Sequence, residues 1–255
     1  MYPGKYAEQN PDRSAFVMAA TGERVSYQEF EARSNRVAHY LADKGLGFQD
    51  HYSIFMENNN RYLESCAAGE RSGLYYTCIN SFLTSDELAY IINNSESQIL
   101  ITSMSKLEAA QEALAQCTAI KEVLVVGAGD GDLPEGMSDF ESTLSKYPET
   151  PLERELLGAA MLYSSGTTGR PKGIVRPLPE QSPDEPLPVI GFLSGLWRYR
   201  EDMIYLSPAP LYHSAPQAAV GLTLRMGGTV VIMERFDPAD YLRFVEEYQV
   251  SHSQL

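Results

Sequence analysis

Hydrophobic positions form helical and strand-like groups that alternate over almost the whole chain. Ser26 with Glu29, and Thr84 with Glu87, have the spacing of helix capping boxes, and Asn60 is a candidate cap for the helix between them. Further helices are predicted at 106–116, 215–226 and 238–248. Continuous apolar runs, typical of strands buried on both faces, lie at 52–55, 99–101, 123–126, 161–163, 204–206 and 229–233. The pattern predicts an α/β fold, with mixed and parallel sheets flanked by helices.

The order of these elements predicts a domain organisation in three parts. Residues 1–175 form a first α/β subdomain, 176–200 a Pro-rich loop, and 201–255 the start of a second α/β subdomain. Five prolines lie between positions 177 and 188, so we expect an exposed loop or mobile flap there rather than a helix or central strand. Residues 127–158 are rich in Gly, Pro and acidic side chains, and we expect a surface segment with one helical stretch.

The last residues, 250–255, resemble the opening of another strand directly after a helix. We therefore expect the chain to be the N-terminal, apparently truncated part of a longer protein. A short edge strand or a frayed tail is the alternative.

Composition narrows the function classes. The chain has 255 residues, 44% of them hydrophobic, and a net charge of −14, so it is an ordinary globular protein that repels nucleic acid and anionic membranes at long range. No apolar run reaches the roughly 18 residues of a membrane span. Cys66, Cys78 and Cys117 share no CxxC spacing, which argues against a disulfide framework or zinc site and fits a reducing cytoplasm.

The residues that carry chemistry are 163–173, with the sequence Tyr-Ser-Ser-Gly-Thr-Thr-Gly-Arg-Pro-Lys-Gly. Glycines allow backbone N–H groups to converge on one point, hydroxyls add donors without bulk, and Lys172 adds a positive charge. Such a segment suits the polyphosphate of a nucleotide, although its spacing is not that of a Walker P-loop. The alternative is a polar surface hairpin.

This run closely resembles the Ser/Thr/Gly-rich nucleotide loop of the adenylate-forming (AMP-binding) superfamily, which includes acyl-CoA and aryl-CoA synthetases, luciferases and adenylation domains. Residues 210–214, Pro-Leu-Tyr-His-Ser, resemble the family's segment beside the acyl pocket, and residues 227–231 and 236–238 resemble the strand and turn that follow. The resemblance spans essentially the whole chain. It is greatest to fatty-acyl and other carboxylate–CoA ligases, and it implies part of the large N-terminal domain of such an enzyme.

The resemblance implies a reaction and a set of residues. The enzyme would activate a carboxylic acid, which we expect to be a fatty acid, with ATP and Mg²⁺ to an acyl-adenylate, and would then form acyl-CoA with coenzyme A as co-substrate. Lys172, Thr168 and His213 would be catalytic, with Thr168 also a ligand of Mg²⁺ and His213 at the wall beside the carboxylate. The implied nucleotide-binding residues are Ser164, Ser165, Gly166, Thr167, Thr168, Gly169 and Lys172. For His213, an ordinary loop histidine is the alternative.

The chain also departs from the family pattern. Family members carry an aromatic-Gly-x-Thr-Glu segment, a ribose-binding aspartate and a C-terminal domain with a second lysine, and none of these precedes Leu255. We therefore expect the isolated chain to be inactive. A non-catalytic module that binds polyphosphate or acyl groups is the alternative function. We expect cytoplasmic localisation and no nucleic-acid partner, while peripheral membrane contact and a homodimer stay open.

Overall fold

Strands and helices alternate along the chain in a computed structural model that describes residues 1–164 and 170–255. The helices are α1 (Gly4–Gln9), α2 (Tyr27–Asp43), α3 (Tyr62–Ser72), α4 (Ser85–Asn94), α5 (Leu107–Leu114), α6 (Phe140–Leu144), α7 (Pro188–Leu196), α8 (Ser214–Arg225) and α9 (Pro238–Glu247). The strands are β1 (Ser14–Met18), β2 (Arg24–Ser26), β3 (His51–Phe55), β4 (Tyr75–Cys78), β5 (Ile99–Ser103), β6 (Glu122–Val126), β7 (Met137–Asp139), β8 (Ala159–Ala160), β9 (Leu162–Ser164), β10 (Lys172–Ile174), β11 (Ile204–Ser207), β12 (Thr229–Ile232) and β13 (His252–Ser253). A 3₁₀ turn at Met104–Lys106 precedes α5.

The chain divides into two compact units, each built from separated stretches of sequence. The first unit comprises Met1–Ser34, Asn58–Ala67 and Asp184–Leu255, and the second comprises Asn35–Glu57 and Ala68–Pro183.

The first unit contains a sheet in the order β13-β11-β12-β1-β2. Its neighbouring strands are parallel except β1 and β2, which are antiparallel. Leu206 of β11 and Val231 of β12 are fully buried and form a core cluster with Phe244 of α9. The apolar face of α9 therefore covers the adjacent strands β11 and β12.

The second unit contains an all-parallel sheet in the order β7-β6-β5-β3-β4-β8. Its central strands are nearly continuous apolar runs, as expected for strands with helices on both faces. Leu100 and Val123 on the strands form one buried core with Leu88 and Ile92 of α4 and Ala110 of α5. The antiparallel pair β9–β10 forms a separate hairpin in the same unit.

The predicted fold class is confirmed, and so are both capping boxes. The Thr84 side chain accepts from the backbone N–H of Glu87, whose carboxylate accepts from the backbone N–H of Thr84. Ser26 and Glu29 make the same reciprocal pair at the start of α2. The last residues form β13, a two-residue strand at the edge of the sheet that pairs in parallel with β11, and this matches both the opening of a strand and the alternative of a short edge strand.

Three local predictions need correction. The region 176–200 contains helix α7. Pro188 does not break this helix, because it lies in the first turn, where no helical hydrogen bond needs the N–H that proline lacks. The segment 127–158 contains not only helix α6 but also strand β7, which pairs with β6. At the start of α3 it is the Asn59 side chain, and not Asn60, that accepts from a backbone N–H, that of Arg61. The predicted domain boundaries stay a prediction.

Candidate functional site

Hairpin β9–β10 contains the described ends of the glycine-rich segment. Ser164 is the antiparallel partner of Lys172, and Tyr163 is the partner of Gly173. Directly opposite residues in an antiparallel pair have Cα atoms about 5 Å apart. The register therefore places a residue with a hydroxyl opposite a residue with an ammonium group, where the connecting segment leaves β9 and enters β10.

The middle of that segment lies outside the described residues. It comprises Ser165, Gly166, Thr167, Thr168 and Gly169. Their assignment to the polyphosphate, and that of Thr168 to Mg²⁺, therefore stays a prediction. In the parts of the chain that the structure describes, His, Cys, Asp and Glu form no cluster of three or more that could hold a metal ion.

Lys172 and Ser164 are both exposed. Among the residues that the structure covers, no carboxylate forms an ion pair with Lys172. Its ammonium group is therefore available to an anion, in a chain whose net charge is −14.

Gly173 lets the two strands of the hairpin pack closely. A Cβ atom at this position would collide with Cε of Met161 and would lie 3.1 Å from the ring of Tyr163. Met161 is buried, so the space above Gly173 is already filled. A side chain at position 173 would force the end of the Met161 side chain to move and the tip of the Tyr163 ring to shift by a few tenths of an ångström.

Two tyrosine hydroxyls, one on the hairpin and one on helix α4, join the hairpin to this helix. The Tyr163 hydroxyl donates to Oδ1 of Asn94 at 2.7 Å, and the Tyr90 hydroxyl donates to the backbone carbonyl of Pro171 at 3.0 Å. Burial raises the pKa of Tyr163 above its ordinary value, and the nearby Tyr90 raises it further, so the hydroxyl keeps its proton and can donate. Strand β9 and the residue before β10 are thus both hydrogen-bonded to helix α4.

Arg170 adds a second cation next to the segment. Its guanidinium carbon lies 5.0 Å from the centroid of the Tyr90 ring, within the range of a cation–π contact. It borders a shallow depression of about 480 Å³ that Asp86, Ala89, Asn93 and Gln116 also line. Asp86 accepts from Nε2 of Gln116 at 2.8 Å, so an amide partner already occupies this carboxylate.

His213 belongs to the first unit, at the residue before α8. It is exposed, makes no capping hydrogen bond with its side chain, and its ring centroid lies 4.3 Å from that of Tyr212. Leu211, two residues earlier, is fully buried and anchors this turn in the unit. The His213 imidazole therefore lies on a fixed turn and takes no part in capping α8.

Sequence reasoning missed Tyr90 and Asn94, which hold the hairpin, because they lie far from it in the sequence. The capping box at Thr84 predicted the helix that carries them but not its partner. Across residues 1–164 and 170–255, none of the helices combines the length and apolar character needed to cross a membrane.

The sequence profile of the family described as AMP-binding enzyme matches residues 5–255. The chain belongs to this family. The resemblance inferred from the glycine-rich segment is thereby confirmed for almost the entire length.

Curated relatives of this chain include acid–CoA ligases. A medium/long-chain-fatty-acid–CoA/3-oxocholest-4-en-26-oate–CoA ligase of Mycolicibacterium smegmatis is 28% identical, over 94% of this chain and 46% of its own length. The 4-coumarate–CoA ligase 1 of Petroselinum crispum is 27% identical, over 94% of this chain and 44% of its own length. The chain thus spans about half the length of the curated relatives it matches.

Solved structures agree with the fold. A Rhodopseudomonas palustris protein assigned as a long-chain-fatty-acid CoA ligase superposes with a TM-score of 0.84 at 24% identity, covering 99% of this chain and 62% of that one. ATP-bound MatB from the same species superposes with a TM-score of 0.73 at 28% identity, covering 96% of this chain and 48% of that one. The mixed and parallel sheets are therefore those of the N-terminal region of adenylate-forming enzymes.

Proposed function

We propose that this AMP-binding enzyme chain forms the nucleotide-phosphate and acid-binding part of a carboxylic acid–CoA ligase. The observation that carries the proposal is the register of β9 and β10, which places Ser164 opposite Lys172 at the two ends of the glycine- and hydroxyl-rich segment. The names of the curated relatives, which include fatty-acid and 4-coumarate CoA ligases, support the same reaction class.

In the first step, a carboxylate oxygen of the acid attacks the α-phosphorus of ATP, and pyrophosphate leaves. Carboxylate and triphosphate are both anions, so the protein must offset their repulsion and hold them in line. Ser164 and the segment 165–169 hold the β- and γ-phosphates, and the Lys172 ammonium offsets their charge. Thr168 would hold the Mg²⁺ that accompanies the nucleotide, and the ion would neutralise part of the triphosphate charge.

His213 serves the acid rather than the nucleotide. Its exposed imidazole lies on the turn before α8 and makes no capping contact there, so it can donate to a carboxylate oxygen of the bound acid. In the second step, the sulfur of coenzyme A attacks the acyl carbonyl carbon of the adenylate, and AMP leaves. No side chain of this chain needs to act as a nucleophile in either step.

A fatty acid is the substrate we propose. Fatty-acid–CoA ligases and 4-coumarate–CoA ligases both occur among the curated relatives, at 26–28% identity, and the fatty-acid enzymes support this choice. The identity of the acid is a separate proposal from the reaction class, and a panel of acids tests it separately.

The test is acid-dependent exchange of labelled pyrophosphate into ATP, measured on the full-length protein that contains this chain. We expect exchange with medium- or long-chain fatty acids, less with 4-coumarate, and none without acid. Exchange with aromatic acids alone would overturn the fatty-acid assignment. ATP binding without exchange for any acid would instead support the alternative, a non-catalytic polyphosphate-binding module.

A further inference from the structure

Asn58 makes a buried set of hydrogen bonds with backbone groups far away in the sequence. Its Oδ1 accepts from the backbone N–H of Leu211 at 2.8 Å. Its Nδ2 donates to the carbonyl of Met233 at 2.9 Å and to that of Ala209 at 3.3 Å. Asn58 is only 8% exposed, so water does not compete freely for these groups.

These three backbone groups lie just beyond the ends of the parallel strands β11 and β12. The last ladder bond between these strands runs from the N–H of Met233 to the carbonyl of Ser207 at 3.0 Å. Beyond it, the loop that contains Ala209 and Leu211 has no strand partner here, and the Asn58 amide replaces one. Carboxyl ends of parallel strands are the usual location of ligand sites in α/β sheets.

The loop that Asn58 holds leads directly to His213. The N–H of His213 donates to the carbonyl of Pro210 at 3.2 Å, and the N–H of Gln217 donates to the carbonyl of His213 at 3.1 Å as α8 begins. The link from Asn58 to Leu211 therefore fixes the backbone two residues before the imidazole. All of these residues belong to the first unit.

We infer that Asn58 is a positioning residue for the acid substrate, acting by holding residues 209–211 so that His213 meets the carboxylate. This rests on the proposed function, because it assumes that His213 contacts the acid. Asparagine suits the position because one side chain supplies both an acceptor and two N–H donors. Aspartate keeps the shape and the acceptor but has no donor for the two carbonyls.

The experiment compares Asn58→Ala and Asn58→Asp with wild type in acid-dependent pyrophosphate exchange on the full-length protein. Asn60→Ala is the matched control, because Asn60 is a close neighbour whose Nδ2 donates only to the Glu23 carboxylate at an exposed site. We expect both Asn58 variants to raise the KM for the acid about tenfold, with less than a twofold change in the KM for ATP. The control should change neither constant.

A double-mutant cycle with His213→Ala separates positioning from a general structural role. We expect the Asn58→Ala effect on the acid KM to shrink to less than threefold when His213 is absent. An unchanged tenfold effect in that background, or equal losses for acid and ATP, would overturn the inference. If Asn58→Ala does not fold, Asn58→Asp carries the same cycle.

Pyrophosphate exchange by wild type and by the Asn58 variants distinguishes the role of Asn58 from the proposed function. Wild-type protein that exchanges pyrophosphate while both Asn58 variants keep the wild-type acid KM would overturn this inference alone. If no acid in the panel supports pyrophosphate exchange by the wild-type protein, the proposed function and the inference are overturned together.

Discussion

Lys172 lies opposite Ser164 in the antiparallel pair β9–β10, so that an ammonium and a hydroxyl group stand at the two ends of one glycine-rich connection. Neither residue is buried, and helix α4 holds the hairpin on which both lie. The backbone of a short connection between two fixed strand ends can turn its N–H groups toward one anion. This relationship is the structural basis of the phosphate-binding proposal.

Lys172→Ala should lower acid-dependent pyrophosphate exchange by about tenfold to a hundredfold in kcat/KM, the cost of one hydrogen bond to a charged group. Because Lys172 is exposed, the melting temperature should stay within about 1 °C of wild type. Lys146→Ala, at another exposed lysine of the second unit, is the control and should retain full exchange. Equal activities in the two variants would contradict the role of Lys172.

Gly173→Ala should impair the hairpin, because the added Cβ collides with Met161 and approaches the Tyr163 ring. We expect a loss of stability of about 1 kcal/mol, the lower end of the cost of overpacking, because the atom that collides is the end of a flexible methionine side chain, together with reduced exchange. Gly191→Ala is the matched control. Nothing lies within 4 Å of a Cβ there, and its position inside α7 should make the substitution stabilising by about 0.5–1 kcal/mol. Denaturant unfolding of the two variants checks both signs.

Tyr163→Phe should destabilise the protein by about 1 kcal/mol, because it removes the donor to Asn94. The same pair predicts a pH dependence. Since burial raises the pKa of Tyr163, its contribution is complete below pH 10, the ordinary value for tyrosine, and is lost as the pH rises above it. Unfolding measured between pH 8 and about 11 should therefore show a shallower alkaline decline in Tyr163→Phe than in wild type. Parallel declines would show that this hydroxyl is not linked to folding.

Thr84→Ala should cost about 1 kcal/mol of stability, because it removes the side-chain cap of α4. Thr84→Ser retains the hydroxyl and should cost much less. Chemical denaturation of both variants measures the difference. A loss as large in the serine variant as in the alanine variant would mean that the hydroxyl does not act as the cap.

Local signals in the sequence predicted much of the fold. The capping boxes at Ser26 and Thr84 and the apolar run at β5 each depend on neighbours within a few residues, and all three elements are present. The prolines up to Pro188 predict a loop, but helix α7 begins at Pro188, because a proline is tolerated in the first helical turn. Strand β7 is mostly polar, so no apolar run predicts it. It is a strand because it pairs with β6.

Sequence alone pointed to candidate site residues only within two contiguous motifs, 163–173 and 210–214. Lys172 and Ser164 stood out because hydroxyls, glycines and a lysine occur together. Tyr90, Asn94 and Asn58 act through long-range contacts that no local pattern encodes. A tyrosine on an amphipathic helix and an asparagine in a loop are common, and only the folded backbone shows which carbonyl or N–H group each one meets.

Equilibrium binding of MgATP and of AMP to the full-length protein, in wild type and in Lys172→Ala, tests the central claim most directly. If the segment 164–172 holds the β- and γ-phosphates, the variant should bind MgATP about tenfold to a hundredfold more weakly and AMP with unchanged affinity. Equal affinities of wild type and variant for MgATP, or equal losses for MgATP and AMP, would contradict the assignment of this segment to the polyphosphate.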